Sequence, residues 1–404
     1  MKILIVNSYA AIYSIGKITS LQYKYLKQFG HEVRVCYKGT IRESKMVNQD
    51  FIPIASKIEA HLGRFIARLT GYEGYTHPFS TRRLIRFTRK FHPDVVQVNV
   101  LHGYYINGNA YLRFLKKQGY KVCYTMMDEY AYMGKCAFSF SCNKFQTRCT
   151  APCPERKTYP QSLLFDRAGF IFEAKRKTYA DFRHIVFTGP EWVVNRAKSS
   201  ALLKQARLEI LDEPVDFGTT FHPRETGALR AKLGIPLDKK IIVTVAPLSD
   251  PRKGGIYFFK VAEQLLDRQD LHFVYVGCDV EPPMKLKNMT TVPFVHSQDD
   301  LAQYYSLGDL FVCTSLADSM PNVCIDALGC GTPLAGFAEA GTPYVAPPEF
   351  GTFTPTYDLE ALARVIIETP KKDAARIAAC HEYAVHRYAP ENIIAKLAAL
   401  YPTL

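Results

Sequence analysis

No stretch of this chain stays apolar for the ~18 residues that a membrane-spanning helix needs. The N-terminal run "MKILIVNSYAA" breaks at Asn7-Ser8, too soon for the apolar core of a secretion signal, and reads as a buried first strand. No G-x-G-x-x-G follows that strand. The first loop, "YAAIYSIGK" (9–17), holds a single glycine, Gly16, which argues against a dinucleotide-dependent enzyme such as an epimerase. Zinc-finger, homeodomain and RNP-type patterns are missing too, so nucleic acid is not an expected partner. There is no low-complexity tract and no repeat with a period of about 20–50 residues.

Acidic residues are the scarcer charge. Lys and Arg number 51 against 38 Asp and Glu, a net charge of +13, which favours an anionic partner. The excess concentrates in segment 61–93, with Arg64, Arg68, Arg82, Arg83, Arg86 and Lys90, and with Phe87 and Phe91 beside Arg89. The bland reading is a solvated helix face. The sharper one is docking on anionic lipid headgroups.

What is present is an alternation of strand-like and helix-like segments. Runs 2–8, 32–37, 94–101 and 120–126 are apolar and strand-length, with helical spacing at 18–30. A second series, 241–247, 271–277, 309–315 and 333–338, follows the Pro/Gly-punctuated stretch 213–240. With 404 residues, the reading is α/β: two doubly wound Rossmann-like domains facing a cleft. The expected division is 1–190 and 191–380, with 381–404 a helical segment. In such sheets ligands bind at the carboxyl ends of the strands.

The stretch "DSMPNVCIDALGCGTP" (318–333) begins just past one such strand. Ser319 is expected to cap the next helix and Pro321 to sit in its first turn. Asn322 and Asp326 are four apart and share a face. The helix N-terminus suits a diphosphate. Asp326, deeper along the helix, suits a ribose diol, and Asp318 suits sugar hydroxyls. In "APLSDPRKGG" (246–255), Arg252 and Lys253 leave the same sheet edge and are placed to hold a leaving diphosphate.

Together with "EAGTP" (339–343), "FHPDVVQVNVLHGYYIN" (91–107) and "YTMMDEYAYMGKC" (124–136), these segments resemble the retaining glycosyltransferases of family 4 (group 1), in particular the colanic-acid and capsule branch of exopolysaccharide assembly. The resemblance runs over essentially the whole chain and implies the GT-B fold. It places the family's acidic pair, usually glutamates, on Asp318 and Asp326, its phosphate-binding cations on Arg252 and Lys253, and its glycine loop on Gly16. Where the family reads His-Asp, this chain reads Met127-Asp128; Asp128 remains as a catalytic candidate, and His102 is an acceptor-side candidate. The implied donor is a nucleotide sugar. The implied acceptor is a polyprenyl-diphosphate-linked oligosaccharide at the anionic inner-membrane surface, with the enzyme cytoplasmic and peripheral. No cofactor is required for catalysis. By resemblance, 381–404 crosses back onto the first domain. The alternative is a GT-B-like binding or scaffold protein without turnover.

Eleven cysteines without a secretion signal suggest a reducing compartment. Seven are scattered singly on apolar segments. Cys136, Cys142, Cys149 and Cys153 cluster as C-x5-C-x6-C-x3-C, of which only the last pair has the spacing usual for zinc. A structural zinc site, disulfides and reduced thiols lining a tight loop all fit the spacing.

Overall fold

The computed structural model describes residues 1–404, apart from the side chain of Ile41. The chain divides into two compact units, Met1–Pro214 with Ile393–Leu404, and Val215–Asn392.

The first unit is built on seven strands: β1 (Lys2–Asn7), β2 (Glu32–Tyr37), β3 (Phe51–Pro53), β4 (Val95–Val98), β5 (Lys121–Thr125), β6 (Ile185–Gly189) and β7 (Arg207–Ile210). Its helices are α1 (Tyr13–Gln28), α2 (Ile41–Ser44), α3 (Lys57–Thr70), α4 (Pro78–Phe91), α5 (Gly108–Lys117), α6 (Ala168–Tyr179) and α7 (Glu191–Ser199). The second unit has β8 (Lys240–Val245), β9 (Leu271–Val276), β10 (Met289–Val292), β11 (Leu310–Cys313), β12 (Leu334–Phe337) and β13 (Gly351–Thr354). Between and after them come α8 (Gly227–Lys232), α9 (Gly255–Gln264), α10 (Gln298–Leu307), α11 (Asn322–Gly329), α12 (Leu359–Glu368), α13 (Ala374–Tyr388) and α14 (Pro390–Leu400).

Both sheets are wholly parallel, in the orders β3-β2-β1-β4-β5-β6-β7 and β10-β9-β8-β11-β12-β13. Each is doubly wound. The strand order reverses between β1 and β4 in the first and between β8 and β11 in the second. Parallel strands covered on both faces read as continuous apolar runs, and β1 does so. Its Ile3 and Ile5 face one core layer and Leu4 and Val6 the other, as the two-residue period of a strand dictates. β8 repeats the arrangement, with Ile241 and Val243 on one side and Ile242 on the other.

The domain boundary differs from the expected 190/191. The chain has one more strand to give the first sheet, because β7 pairs with β6 through Val186–Gly189 against Arg207–Ile210. The division therefore falls after Pro214. At the other end, Ile393, Ile394, Leu397 and Tyr401 fill the layer formed by Ile3, Ile5, Val95, Cys123 and Val186. The Tyr401 hydroxyl donates to Gln97 Oε1 at 3.1 Å. Helix α1 starts at Tyr13, five residues before the expected 18, so Gly16 lies inside its first turn.

Ile394 is fully buried, and trimming a buried isoleucine to alanine typically costs about 2–5 kcal/mol. Ile394→Ala should destabilise the first unit by that amount. Urea unfolding followed through Trp192, the chain's one tryptophan and a residue of α7, reads the change directly. An unchanged midpoint would mean that the last helix does not support this core.

Candidate functional site

The second unit places its candidate residues at the strand-order reversal. The chain leaves β8 at Ala246 and makes a short 3₁₀ turn over Pro251–Lys253. Asp250 caps that turn, accepting from the Arg252 N–H at 3.0 Å. The same carboxylate grips the Arg252 guanidinium at both oxygens, from Nε at 3.1 Å and from Nη2 at 2.6 Å. Sequence reasoning missed Asp250; the acid-x-Arg spacing in "SDPRKG" was its signal.

Gly254 follows with φ +63°, and a Cβ there would lie 1.9 Å from the Thr314 carbonyl oxygen. The glycine lets the turn press against the chain leaving β11. Thr314 Oγ1 donates to the Gly254 carbonyl at 2.9 Å, and the Leu316 N–H donates to the Arg252 carbonyl at 2.7 Å. Lys253 then meets Asp318, 65 residues further on, in a part-buried ion pair and hydrogen bond. Burial pulls the Lys253 pKa down, but the Asp318 charge and hydrogen bond outweigh it, and the net shift is upward.

A third loop closes on the same place. The Gly341 N–H of "EAGTP" donates to the Asp318 carbonyl at 2.8 Å, and a Cβ on Gly341 would sit 1.8 Å from the Ser319 carbonyl oxygen. Helix α11 then starts at Asn322, with Pro321 as its N-cap residue. Ser319, expected to cap the helix, lies three residues before its start, and its carbonyl packs on Gly341. Asn322 and Asp326 are half-buried, one turn apart, while Cys324, Ile325, Ala327 and Leu328 point into the core. After burial itself, Asp326 is the strongest influence raising the pKa of the buried Tyr305 phenol. Arg252, Lys253, Asp318, Ser319, Asn322 and Asp326 are thus grouped at the carboxyl ends of β8 and β11.

In the first unit, His102 stands on the loop after β4, beside the other reversal. Its Nε2 is 2.7 Å from Asp128 Oδ2 and its Nδ1 is 3.1 Å from the Tyr159 hydroxyl, with the Tyr130 ring against its face at 4.7 Å. Asp128 also accepts the Tyr130 N–H through Oδ1 at 2.9 Å. The adjacent His-Asp of the family pattern is missing here, yet Asp128 has an imidazole partner, supplied by His102 from 26 residues upstream. Met127 itself is buried with Ile18 and Val100. The His102 loop is left-handed at Gly103 (φ +104°) and Tyr104 (φ +60°). Buried Glu73 holds it there, accepting both their N–H groups at 2.8 and 3.0 Å, and Lys38 donates to the Gly103 carbonyl at 3.1 Å. Burial raises the Glu73 pKa despite those bonds. Glu73 and Tyr159 carried no sequence signal.

Gly16 is needed for packing, since a Cβ there would lie 2.9 Å from the Ala11 nitrogen. The amides of its loop are engaged by a protein carboxylate: Ala10 and Ala11 donate to Glu43 Oε1 at 2.6 and 3.1 Å.

All four clustered cysteines are free thiols, Cys136 and Cys149 buried, Cys142 and Cys153 half-buried. Cys136 donates a hydrogen bond to Cys153, which, against burial and with help from Lys135, brings the Cys153 thiol down to about 7. Among the described residues no three His, Cys, Asp or Glu side chains gather closely enough to hold a metal ion.

Residues 239–370 match the family described as glycosyl transferases group 1. Over 254 residues the chain is 26% identical to the Escherichia coli K12 protein named as the colanic acid biosynthesis glycosyl transferase WcaC; the match takes in 61% of this chain and 60% of that relative's length. Sucrose-phosphate synthase of Thermosynechococcus elongatus superimposes with a TM-score of 0.71 at 17% identity, covering 100% of this chain and 98% of that one. HepE of Anabaena, solved in complex with UDP-glucose, gives a TM-score of 0.65 at 14% identity over 100% of both chains. The segment that carries the Lys253–Asp318 pair and α11 is therefore a group 1 glycosyl transferase domain, in a chain with the two-Rossmann GT-B fold.

Proposed function

We propose that the chain transfers a glycosyl residue, with retention, from a nucleoside-diphosphate sugar to a growing polyprenyl-diphosphate-linked oligosaccharide in cell-surface polysaccharide assembly. The observation that carries this is the meeting of Lys253, Asp318 and the N-terminus of α11 where the order of the second sheet reverses.

The chemistry follows from charge. As the bond from the anomeric carbon to the diphosphate breaks, its electron pair stays with the phosphate, and negative charge grows there. The Lys253 ammonium and the backbone amides at the start of α11 stabilise that charge in place, without reorganisation. Asp326, about 6 Å along the helix axis from Asn322, accepts from the ribose diol. Asp318, anchored through Lys253, accepts from sugar hydroxyls. The acceptor oxygen attacks from the face the phosphate leaves, and its proton passes to a phosphate oxygen, so configuration is kept. Positioning and electrostatics do the work, and no cofactor is assigned a step.

His102 and Asp128 are assigned to the acceptor. The carboxylate at Nε2 and the phenol at Nδ1 fix the imidazole plane. The lipid-linked acceptor puts the enzyme at the anionic inner-membrane surface, cytoplasmic and peripheral. One observation favours the alternative of a binding protein without turnover: Arg252, expected on the phosphates, is held at both ends of its guanidinium by Asp250.

Two expectations follow. A panel of nucleoside diphosphates and their sugars, read by thermal shift, should contain one ligand that stabilises the fold. At about 100 times its Kd the gain is about 2.7 kcal/mol. Asp326→Asn should weaken that ligand about tenfold, near 1.4 kcal/mol, and the product should keep the donor's anomeric configuration by NMR. Silence across the panel removes the donor site, and binding without turnover leaves the binding-protein alternative.

The second concerns pH. Wild-type Lys253 has its pKa raised, so its ammonium persists as pH rises. In Asp318→Asn the two largest influences that oppose burial, the Asp318 charge and its hydrogen bond, are removed or weakened. Diphosphate affinity of the variant should therefore fall at a lower pH than in the wild type, measured by calorimetry between about pH 7 and 10. Parallel profiles would show that Asp318 does not set the charge of Lys253.

A further inference from the structure

Helix α3 is inverted relative to a core helix. It buries its small residues, Ala60, Gly63 and Ala67, and exposes its large apolar ones. The buried side is pressed close: a Cβ on Gly63 would lie 2.4 Å from His77 Nε2. On the other side Ile58 (82% exposed), Leu62, Phe65 (62%) and Ile66 recur at i, i+4, i+7 and i+8, a single apolar stripe open to solvent.

A second apolar group adjoins the end of this helix. The N–H groups of Leu163 and Leu164 donate to the carbonyls of Arg68 and Leu69 at 2.7 and 3.2 Å. Leu163, Leu164 (65% exposed) and Phe165 are all exposed. Single exposed hydrophobics are ordinary, but a stripe with a neighbouring cluster marks an interaction surface. Phe87 and Phe91, the aromatics that the sequence set among the basic residues, are not part of it. They stack on each other at 5.9 Å and pack against the core.

The fully exposed charges of α3 are of one sign. Lys57 and Arg64 are exposed on α3, as are Arg82 and Arg86 on α4. The one acid of α3, Glu59, is occupied by the N–H groups of Phe79 and Ser80 and by the Ser80 hydroxyl. A second copy docked face to face would bring cations onto cations, because a two-fold contact uses the same patch twice. An anionic bilayer accepts both features: apolar side chains enter the acyl boundary and the Lys/Arg heads stay with the phosphates.

We propose that the Ile58–Ile66 stripe of α3, with the Leu163–Phe165 segment, inserts into the surface of an anionic lipid bilayer and that Lys57 and Arg64 of α3, with Arg82 and Arg86 of the α4 helix tied to it through Glu59, bind its headgroups. The inference rests on the membrane-borne acceptor proposed above, and names the surface that meets it. The association is partly hydrophobic, so it outlasts the screening of its charges.

The test is co-sedimentation of the full chain with vesicles of phosphatidylglycerol and phosphatidylethanolamine, against phosphatidylcholine alone. The chain should favour the anionic vesicles and stay bound in about 1 M sodium chloride, where the screening length is about 3 Å. Phe65→Ser with Leu164→Ser should lower binding about tenfold with no loss of melting temperature, since both side chains are exposed. The proposal fails if wild type ignores anionic vesicles, or if the double variant binds as well as wild type. It also fails if wild type is a dimer in solution that the double variant splits, which would give the stripe to a second copy. Thermal shift with the nucleoside-diphosphate panel, run on the same samples, separates the two readings. Vesicle binding without donor binding removes the transferase and keeps this surface; donor binding without vesicle binding does the reverse.

Discussion

Two missing side chains hold the proposed donor site of the second unit together. Gly254 and Gly341 each lie where a Cβ would overlap a carbonyl oxygen, at 1.9 Å from Thr314 and 1.8 Å from Ser319. Backbone thus packs on backbone, and loops from three successive parts of the sheet close around one point. Lys253 reaches Asp318 only because of that closeness. Gly254 is also left-handed, so an alanine there would be strained even if the space were found. The chemistry assigned to the site is electrostatic, and electrostatic stabilisation depends on fixed distances. Rigidity bought by bare backbone is a reasonable foundation for it.

The first unit reaches a comparable result by another route. The loop carrying His102 is also left-handed and also stands at a sheet reversal, but a buried carboxylate secures it. Glu73 spends its charge on two amides, and burial raises its pKa all the same. The effect is to present the His102 imidazole to Asp128 with its second nitrogen already engaged by Tyr159. An imidazole thus reaches Asp128 through space, from His102 rather than from the preceding residue, which is Met127. The same economy appears at Glu43, whose carboxylate fills the amide pocket of the first loop.

Much of this was legible in the sequence, and the limits have physical reasons. Long buried strands such as β1, β2 and β8 announce themselves as apolar runs. The missed β3, β7, β10 and β13 are the edge strands of the two sheets, short and partly exposed, so they lack the continuous apolar run of the inner strands, and missing β7 is what misplaced the domain boundary. Lys253, Asp318 and Asp326 were readable because strand ends and helix starts have local signatures. Asp250 was overlooked beside the cation it binds, and Glu73 and Tyr159 act across 30 and 57 residues, where sequence offers no pattern. Periodicity alone assigns Ile58, Leu62, Phe65 and Ile66 to a core. Only the packing of the opposite, small-residue face of α3 shows which side is inward.

The order of the chain adds a constraint on how the molecule is made. The first unit borrows its final helix, residues 393–404, from beyond the whole of the second. On the ribosome its sheet is finished early, yet one layer stays only partly covered, by α1, while 178 further residues are threaded out, from Val215 to Asn392. Ile3, Ile5, Val95 and Val186 wait for the rest of their cover through that interval. The nascent chain therefore carries a partly open apolar floor for much of its synthesis, and chaperone capture during translation would fall on the first unit rather than on the second.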